Sequence, residues 1–351
     1  IYNPEHPGFA GGPPAGAPIS GDGDIDIGLT EPVPNFYFSH EYGNRWWVGL
    51  GVNAPFGLKT DYDSDWVGRY HADKSELLTI NINPSVAFRI DEHASIGFGI
   101  SAMYADAELT NWVDAALDPE LGLLPGSLDL KAKVTGDDWG FGFNGGVLLE
   151  PSPRTRLGLH YRSQVDLELE GDFSVTGAPK TGASAEVSLP GTLSFSAYHE
   201  YNEQWAVMAD ITWTEWSQLD SLVIKRSGDE PVISDFDWDN SIRYAVGVTY
   251  RHNPTWLFRA GVAQDETPIR NSVLRTPRVP GEDRTWLAFG ANYTHSKELS
   301  FDFGYAHLFV DDPEINNLDA HTPSTFEGFH LLRGEYDAAV DIFSAQVNWK
   351  F

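Results

Sequence analysis

Phe343-Ser344-Ala345-Gln346-Val347-Asn348-Trp349-Lys350-Phe351 alternates without a break: Phe343, Ala345, Val347, Trp349 and Phe351 are apolar, while Ser344, Gln346, Asn348 and Lys350 are polar. A period of two sends the two sets to opposite faces of an extended strand. The same split recurs upstream. Trp205, Val207, Ala209, Ile211 and Trp213 oppose Met208, Asp210, Thr212 and Thr214, and Tyr244, Val246, Val248 and Tyr250 oppose Arg243, Ala245, Gly247, Thr249 and Arg251. Leu299, Phe301, Phe303 and Tyr305 likewise oppose Ser300, Asp302, Gly304 and Ala306. Aromatic residues such as Trp205 and Trp213, or Tyr244 and Tyr250, close the ends of the apolar rows, as in the girdles at the two surfaces of a membrane. The greasy face is therefore expected outward, toward lipid. A large soluble β-sandwich with ordinary core aromatics is the competing reading.

Working outward from the last strand, the connections alternate in length. Short ones fall near 41–44, 91–93, 151–153, 201–203, 252–254 and 295–297, and long ones near 56–75, 106–137, 171–186, 219–240, 265–283 and 311–334. Tight turns at one end and long loops at the other are the pattern of a transmembrane β-barrel. The intervening strands fall near 33–41, 45–54, 77–90, 94–108, 137–150, 155–170, 187–201, 204–218, 241–252, 255–265, 284–295, 298–310 and 336–351, after a partial strand around Ile1 to Phe9. The expectation is all-β: a 14-stranded antiparallel transmembrane barrel, one domain over 1–351, wide enough to hold something inside. The stretch Asn111 to Leu124, with Trp112, Val113, Ala115, Ala116 and Leu117, has a helix-like apolar spacing suited to capping the lumen.

Composition removes other classes. With 23 Lys+Arg against 51 Asp+Glu, the formal charge of −28 leaves no basic face for nucleic acid. A chain that is 41% hydrophobic and 13% aromatic, with 12 Trp, folds rather than staying a disordered acidic polymer. No cysteine is present, so disulfides, thiol nucleophiles and Cys-based zinc sites are excluded. No window approaches about 18 consecutive apolar residues, which excludes helical spans and leaves a barrel as the only spanning structure. The chain opens at Ile1 with no basic-then-apolar leader, so a signal peptide is expected to be absent or already removed.

Chemical motifs are scarce. Gly140, Gly142 and Gly145 spell G-x-G-x-x-G, but they lie mid-strand among Trp139, Phe141 and Phe143, with no helix after them to receive a phosphate. Glycines there let a neighbouring backbone or a ligand come close. His199-Glu200 starts a zinc-helix pattern that Glu203 fails to complete, and no nucleophile elbow occurs. No catalytic residue, metal site or cofactor is expected, and the chain is read as no enzyme. Asp61, Asp63 and Asp65, like Asp235, Asp237 and Asp239, repeat every second residue, but Trp66 stands where a calcium loop needs glycine. They are read as solvated acidic loops able to meet lipopolysaccharide through divalent ions. Asn53-Ala54-Pro55-Phe56-Gly57 is the most informative local feature. Pro55 removes a ladder donor and Gly57 tolerates unusual dihedrals, so a ladder running through must bulge, kink or stop. Either the strand ends before its loop or the wall has a gap here.

At these residues the chain resembles the FadL family, outer-membrane transporters of long-chain fatty acids and other hydrophobic compounds. The similar stretches include Ala54-Pro55-Phe56-Gly57-Leu58, Trp66-Val67-Gly68-Arg69-Tyr70, Asn81-Ile82-Asn83-Pro84, Trp139-Gly140-Phe141-Gly142-Phe143-Asn144 and Tyr161-Arg162-Ser163. Leu189-Pro190, Trp213-Thr214-Glu215-Trp216-Ser217, Pro280-Gly281-Glu282-Asp283-Arg284 with Trp286, and the closing Gln346 to Phe351 extend the likeness from about Val33 to the end. The resemblance implies a monomeric barrel in the outer membrane of a Gram-negative bacterium, closed by an N-terminal plug. It also implies lateral diffusion of cargo through an inward kink of the third strand, placing Asn53, Pro55, Phe56 and Gly57 at the lateral opening. Implied partners are hydrophobic small molecules (fatty acids, hydrocarbons, detergent in their place) and outer-membrane lipid and lipopolysaccharide.

Two departures from the family pattern follow. Asn3-Pro4 is followed by Glu5 where the family's plug motif has alanine, so the plug is read as missing from this chain. The two basic residues that meet a ligand carboxylate in the family align with Asn111 and about Ser234, neither charged. A buried carboxylate without a cation is costly, which raises neutral aromatic hydrocarbons over fatty-acid anions unless Arg162 or Arg243 substitutes. Asn111, Trp112, Leu117, Leu121, Leu123, Arg162 and Arg243 are the candidate ligand-binding residues. The alternative function is an adhesion or phage-receptor surface built from the acidic outer loops.

Overall fold

The computed structural model describes residues 2–6, 17–117, 121, 123, 126–228, 230–319 and 330–351. The chain is all-β. Its wall strands are β1 (Phe36–Tyr42), β2 (Trp46–Asn53, resuming as Gly57–Asp61), β3 (Lys74–Arg89), β4 (Ala94–Asp114), β5 (Asp129–Ser152), β6 (Thr155–Arg162) and β7 (Thr192–Glu200). They continue as β8 (Trp205–Thr214), β9 (Ser241–Arg251), β10 (Trp256–Asp265), β11 (Arg284–Thr294), β12 (Leu299–Val310) and β13 (Ala339–Trp349). Each of these pairs antiparallel with the next. Phe38 of β1 stacks on Phe351, just past β13, with ring centroids 6.0 Å apart, so rings from the two ends of the strand series meet, while among the described residues β1 and β13 share no register pairing and stay exposed along almost their whole length.

The strand expected around Ile1 to Phe9 does not join this wall. Tyr2–His6 pairs instead with Ala17–Pro18 and with His330–Glu335, which also pairs with Glu314–Asp319 in a small separate sheet. Residues 1 and 7–9 lie outside the described residues. Thirteen wall strands are thus seen among the described residues, one fewer than the sequence spacing suggested. Single periodicity cannot tell a wall strand from a strand of a loop sheet, because both alternate.

The period of two has the expected sense. Phe141, Val246, Phe303, Phe343 and Val347 are all more than half exposed. Their in-register neighbours repeat the pattern: Ile211 faces Tyr244 and Phe303 faces Ala345, all on the outer surface. The opposite face carries polar pairs, with Arg259 bonded to Asp302 at 2.9 Å, Asn348 to Asp302 at 2.6 Å and Arg251 to Glu200 at 2.8 Å. A soluble protein of this length would bury those outer aromatics, so the exposed apolar band marks a lipid-facing surface. Near the short turns, Trp205 packs on Tyr250 at 4.6 Å, Trp46 on Phe88 at 4.6 Å and Trp256 on Tyr293 at 5.0 Å, forming one aromatic girdle.

The long loops are more strand-like than their sequence suggests. β4 and β5 stay paired as far as Asp114↔Asp129, so Asn111, Trp112 and Val113 are extended. The helix expected over Asn111 to Leu124 reduces, among the described residues, to one 3-10 turn, Ala115–Leu117. Asp114 ends the hairpin by accepting the amides of Ala116 at 3.1 Å and Gly126 at 2.7 Å. Two further hairpins, Val165–Val175 with Thr181–Leu189 and Ser221–Arg226 with Val232–Asp235, rise above β6 to β9 and pair with each other.

Candidate functional site: an apolar chamber behind an interrupted seam

The ladder between β2 and β3 runs without a fault from Trp46↔Phe88 to Asn53↔Asn81 and resumes at Gly57↔Leu78. Three residues, 54–56, thus face two, 79–80. Pro55 has no amide proton, and the chain bulges there. Thr79, fully buried, repairs the backbone: its Oγ1 accepts the Phe56 amide at 3.2 Å and donates to the Phe56 carbonyl at 2.5 Å. Below the break, Asn81 Nδ2 donates to Asn53 Oδ1 at 3.1 Å. On its other side β2 pairs with β1 only up to Phe36↔Val52. Above that level the salt bridge from Lys59 to Glu31, 2.6 Å, ties β2 to the exposed segment ahead of β1.

Behind the break lies a cavity of about 460 Å³, within the size range of small-molecule pockets. Pro55, Phe56 and Gly57 line it, with Leu77, Ala107 and Leu109 from β3 and β4. Leu167, Leu169, Leu189, Leu222 and Ile224 of the upper hairpins close one side. Aromatics form a continuous train away from the break: Phe56 meets Trp216 edge-on at 6.2 Å, Trp216 meets Trp238 at 5.3 Å, and Trp238 meets Phe236 at 5.2 Å. Such rings bind apolar and aromatic molecules through offset and edge contacts.

The acidic repeat Asp235, Asp237, Asp239 explains part of this lining. It alternates with Phe236 and Trp238, so one set faces the chamber and the other faces water. Arg270 holds Asp237 at 2.5 Å and Asp239 at 2.9 Å, and Asp237 takes a left-handed φ of 45°. Among the described residues no cluster of His, Asp and Glu is disposed to hold a metal. The other triplet borders a separate apolar cluster with Val67, Ala72, Ile315 and Leu332: between Asp61 and Asp63, Tyr62 stacks on Trp66 at 4.1 Å and donates its hydroxyl to Pro277 O at 2.6 Å. Burial pushes the Tyr62 hydroxyl well above the usual phenol range, so it stays a donor at any physiological pH.

The charged residues of the lining are engaged with partners. Glu76 meets Lys74 at 2.6 Å and Lys59 at 3.5 Å, Arg284 meets Asp265 at 2.8 Å, and Glu282 pairs with buried Arg275. Arg278 donates to Ser75 Oγ at 3.0 Å and to Thr110 O at 3.3 Å.

The residues singled out from sequence are distributed unevenly around this chamber. Pro55, Phe56 and Gly57 are in its lining, with Asn53 one step below. Asn111 and Trp112 are not in the lining: Asn111 Nδ2 donates to Tyr70 O at 3.3 Å and Trp112 Nε1 to Asp73 Oδ1 at 3.2 Å. Leu121 and Leu123 are exposed, and the Leu117 side chain lies outside the described residues. Arg162 ends β6 opposite Asn144 and Thr192, and Arg243 pairs with Asp210 across the lumen wall at 3.5 Å. The aromatic train was missed as a site. Its signal was Trp213-Thr214-Glu215-Trp216-Ser217, where the period of two stops and a second Trp no longer belongs to the outer row.

The comparisons with known proteins agree with this architecture. Residues 14–351 match the profile described as outer membrane protein transport protein (OMPP1/FadL/TodX). The chain belongs to this family. A long-chain fatty acid transport protein of Salmonella typhi is 29% identical over 317 residues, covering 83% of this chain and 73% of its own. Outer membrane protein P1 of Haemophilus influenzae is 32% identical over 303 residues, covering 79% and 65%. Among solved structures, a Pseudomonas aeruginosa FadL homologue superposes with a TM-score of 0.86 at 24% identity, covering 99% of this chain and 87% of that one. The Pseudomonas putida toluene transporter TodX gives 0.66 at 16%, covering 91% and 82%. This FadL-family member is an outer-membrane protein of the Gram-negative type, and its family is one of transporters.

Proposed function

We propose that this FadL-family chain takes up hydrophobic molecules, long-chain fatty acids or related hydrocarbons, and releases them sideways into the outer membrane through the break at Ala54-Pro55-Phe56. The observation that carries this reading is that Pro55, Phe56 and Gly57 belong at once to the interrupted β2–β3 seam and to the lining of the apolar chamber. An apolar solute gains about 25 cal/mol per Å² on leaving water, so a route from chamber to bilayer is downhill where release into aqueous periplasm is not. Outer-membrane lipid is then the acceptor as well as the surroundings.

A second reading concerns the cargo. The aromatic train from Phe56 to Phe236 and the pairing of Arg284 with Asp265 favour neutral aromatic hydrocarbons over fatty-acid anions, and Arg278, held by Ser75 and Thr110 oxygens, is the lining cation that a carboxylate would have to draw away from them. The test uses Gly57→Trp, at a position where an added Cβ comes no closer than 3.8 Å to Leu77 O, so the backbone accommodates it. Uptake of labelled oleate and labelled toluene by cells carrying either form is measured. Uptake is expected to fall at least severalfold in the variant. Unchanged uptake of both compounds would sink the route through this break, and the ratio of toluene to oleate uptake in the parent protein decides the cargo.

A further inference from the structure

The break beside Pro55 is one of two interruptions of the wall on a single row. Asn53, Asn81, Met103 and Gly140 are register partners in succession from β2 to β5. At the β5 end, the ladder to β6 stops at Asn144↔Arg162, and pairing resumes only at Asp137↔Glu170 on the hairpin strand Val165–Val175. Residues 138–143 of β5 therefore face residues 163–169 without regular register. The interval is bridged by Ser163 N donating to Phe143 O at 2.9 Å, Phe143 N donating to Ser163 Oγ at 2.9 Å, and Glu168 N donating to Asp138 Oδ2 at 2.7 Å.

Glycine geometry shows where the displaced stretch lies. A Cβ on Gly140 would stand 2.4 Å from Val165 Cγ1 and 2.7 Å from Asp166 O, and one on Gly142 would stand 2.8 Å from Ser163 Oγ. Trp139, Phe141 and Phe143 occupy the exposed face of β5, so these glycine positions are on its inner face. After Arg162 the chain thus steps inward and lies beneath β5 instead of beside it. Val165, Leu167 and Leu169 are buried there against Met103 and Ala105, and Phe56 and Leu77 pack on the same cluster. Leu167 and Leu169 line the chamber that Phe56 lines from the other side.

We propose that the interval between β5 and residues 163–169 is a second lateral exit for the same class of apolar cargo, with Val165 as its stopper. The inference rests on the chamber reading above. Opening this seam requires moving the Val165 side chain and the Asp166 carbonyl away from the two glycines, across a stretch whose residues 138–142 have no register partner on the facing segment. The path runs from Leu167 on the chamber side past Val165 to Phe141 on the lipid side, with the polar bridges at Ser163 and at Asp138 marking its two ends. A molecule in the chamber then has an outlet on each flank of the β3–β4–β5 block.

The chain has no cysteine, so a reversible lock can be introduced cleanly. Gly142→Cys with Ser163→Cys places two thiols within reach of a disulfide, given the 2.8 Å approach of a Gly142 Cβ to Ser163 Oγ. The lock is placed in the parent and in the Gly57→Trp background, with labelled toluene as the probe and retained heat-modifiable mobility on gels as the folding control. The expected result is that transport remaining in Gly57→Trp falls at least threefold on oxidation and recovers on reduction. Val165→Gly, which removes the stopper without a lock, should raise uptake at least twofold in that background. Residual transport indifferent to oxidation overturns the second exit. So does loss of all transport in Gly57→Trp alone, which would leave the first break as the whole route and the chamber reading intact. Full transport in Gly57→Trp that persists under the lock overturns both.

Discussion

Thr79 carries more of the wall break than its sequence signal suggests. Pro55 and Gly57 are legible as a fault in the ladder because one lacks a donor and the other lacks a Cβ. A threonine in the facing strand is ordinary, and only the folded register shows that its hydroxyl serves both the amide and the carbonyl of Phe56. Thr79→Val keeps the volume and deletes both bonds, leaving buried backbone groups short of partners at a cost of about 1–3 kcal/mol. The Phe56 amide should then exchange at least tenfold faster in hydrogen-exchange measurements, and hydrocarbon uptake should rise as the break loosens. Slower or unchanged exchange would show that the bulge holds itself open or shut without Thr79. Arg275 is a second residue of this kind, buried and bonded to Gly281 O at 3.1 Å, to Glu314 O at 2.5 Å and to Glu282. Arg275→Met strands Glu282 at the chamber end and should cost about 3–5 kcal/mol of local stability, read as earlier proteolysis within 267–283.

Elements were legible where one strand repeats a clean period, and illegible where two packings share the same period. Trp112, Val113, Ala115, Ala116 and Leu117 fit a helical face on spacing alone. In the fold, Asn111–Asp114 are extended because Ala132–Asp129 of β5 are available to pair with them. The 155–170 strand read from sequence is real in both halves but broken at Ser163-Gln164, a step that neither residue announces. The hairpin end at Asp114 gives a pH prediction. Burial raises its carboxyl from the usual range to about 6, the opposing amide bonds notwithstanding. The folded form therefore holds its proton at pH values where the unfolded form has lost it. Stability of the 114–126 closure falls as pH rises from about 4 through about 6, and levels off above. Exchange of the Ala116 and Gly126 amides, corrected for intrinsic rates, should show decreasing protection over that window, and Asp114→Asn should abolish the dependence. Protection that instead grows with pH would mean the two amide bonds outweigh burial.

For the whole molecule, the outward apolar face sets where the protein resides. Phe289 is half exposed on that face, while its neighbour Ala288 points inward opposite Gly261 and Ala306. Phe289→Arg places a cation against lipid and should cost about 2–4 kcal/mol if it lies near the bilayer midplane, whereas Ala288→Ser should be nearly neutral. Urea titration of folding into lipid vesicles measures both. Equal effects of the two substitutions would contradict the assignment of faces.

What the sequence determined by itself was the alternation, and with it the class of wall, the sense of its two faces and the position of one fault at Pro55, because these depend on residue type and spacing along a single strand. The tertiary structure decided which strands belong to the wall, why 2–6 joins a loop sheet, and how Phe56, Trp216, Trp238 and Leu167 meet in one chamber. Those contacts join residues far apart along the chain, and their pairing is selected by register and burial across strands, quantities that no local pattern contains.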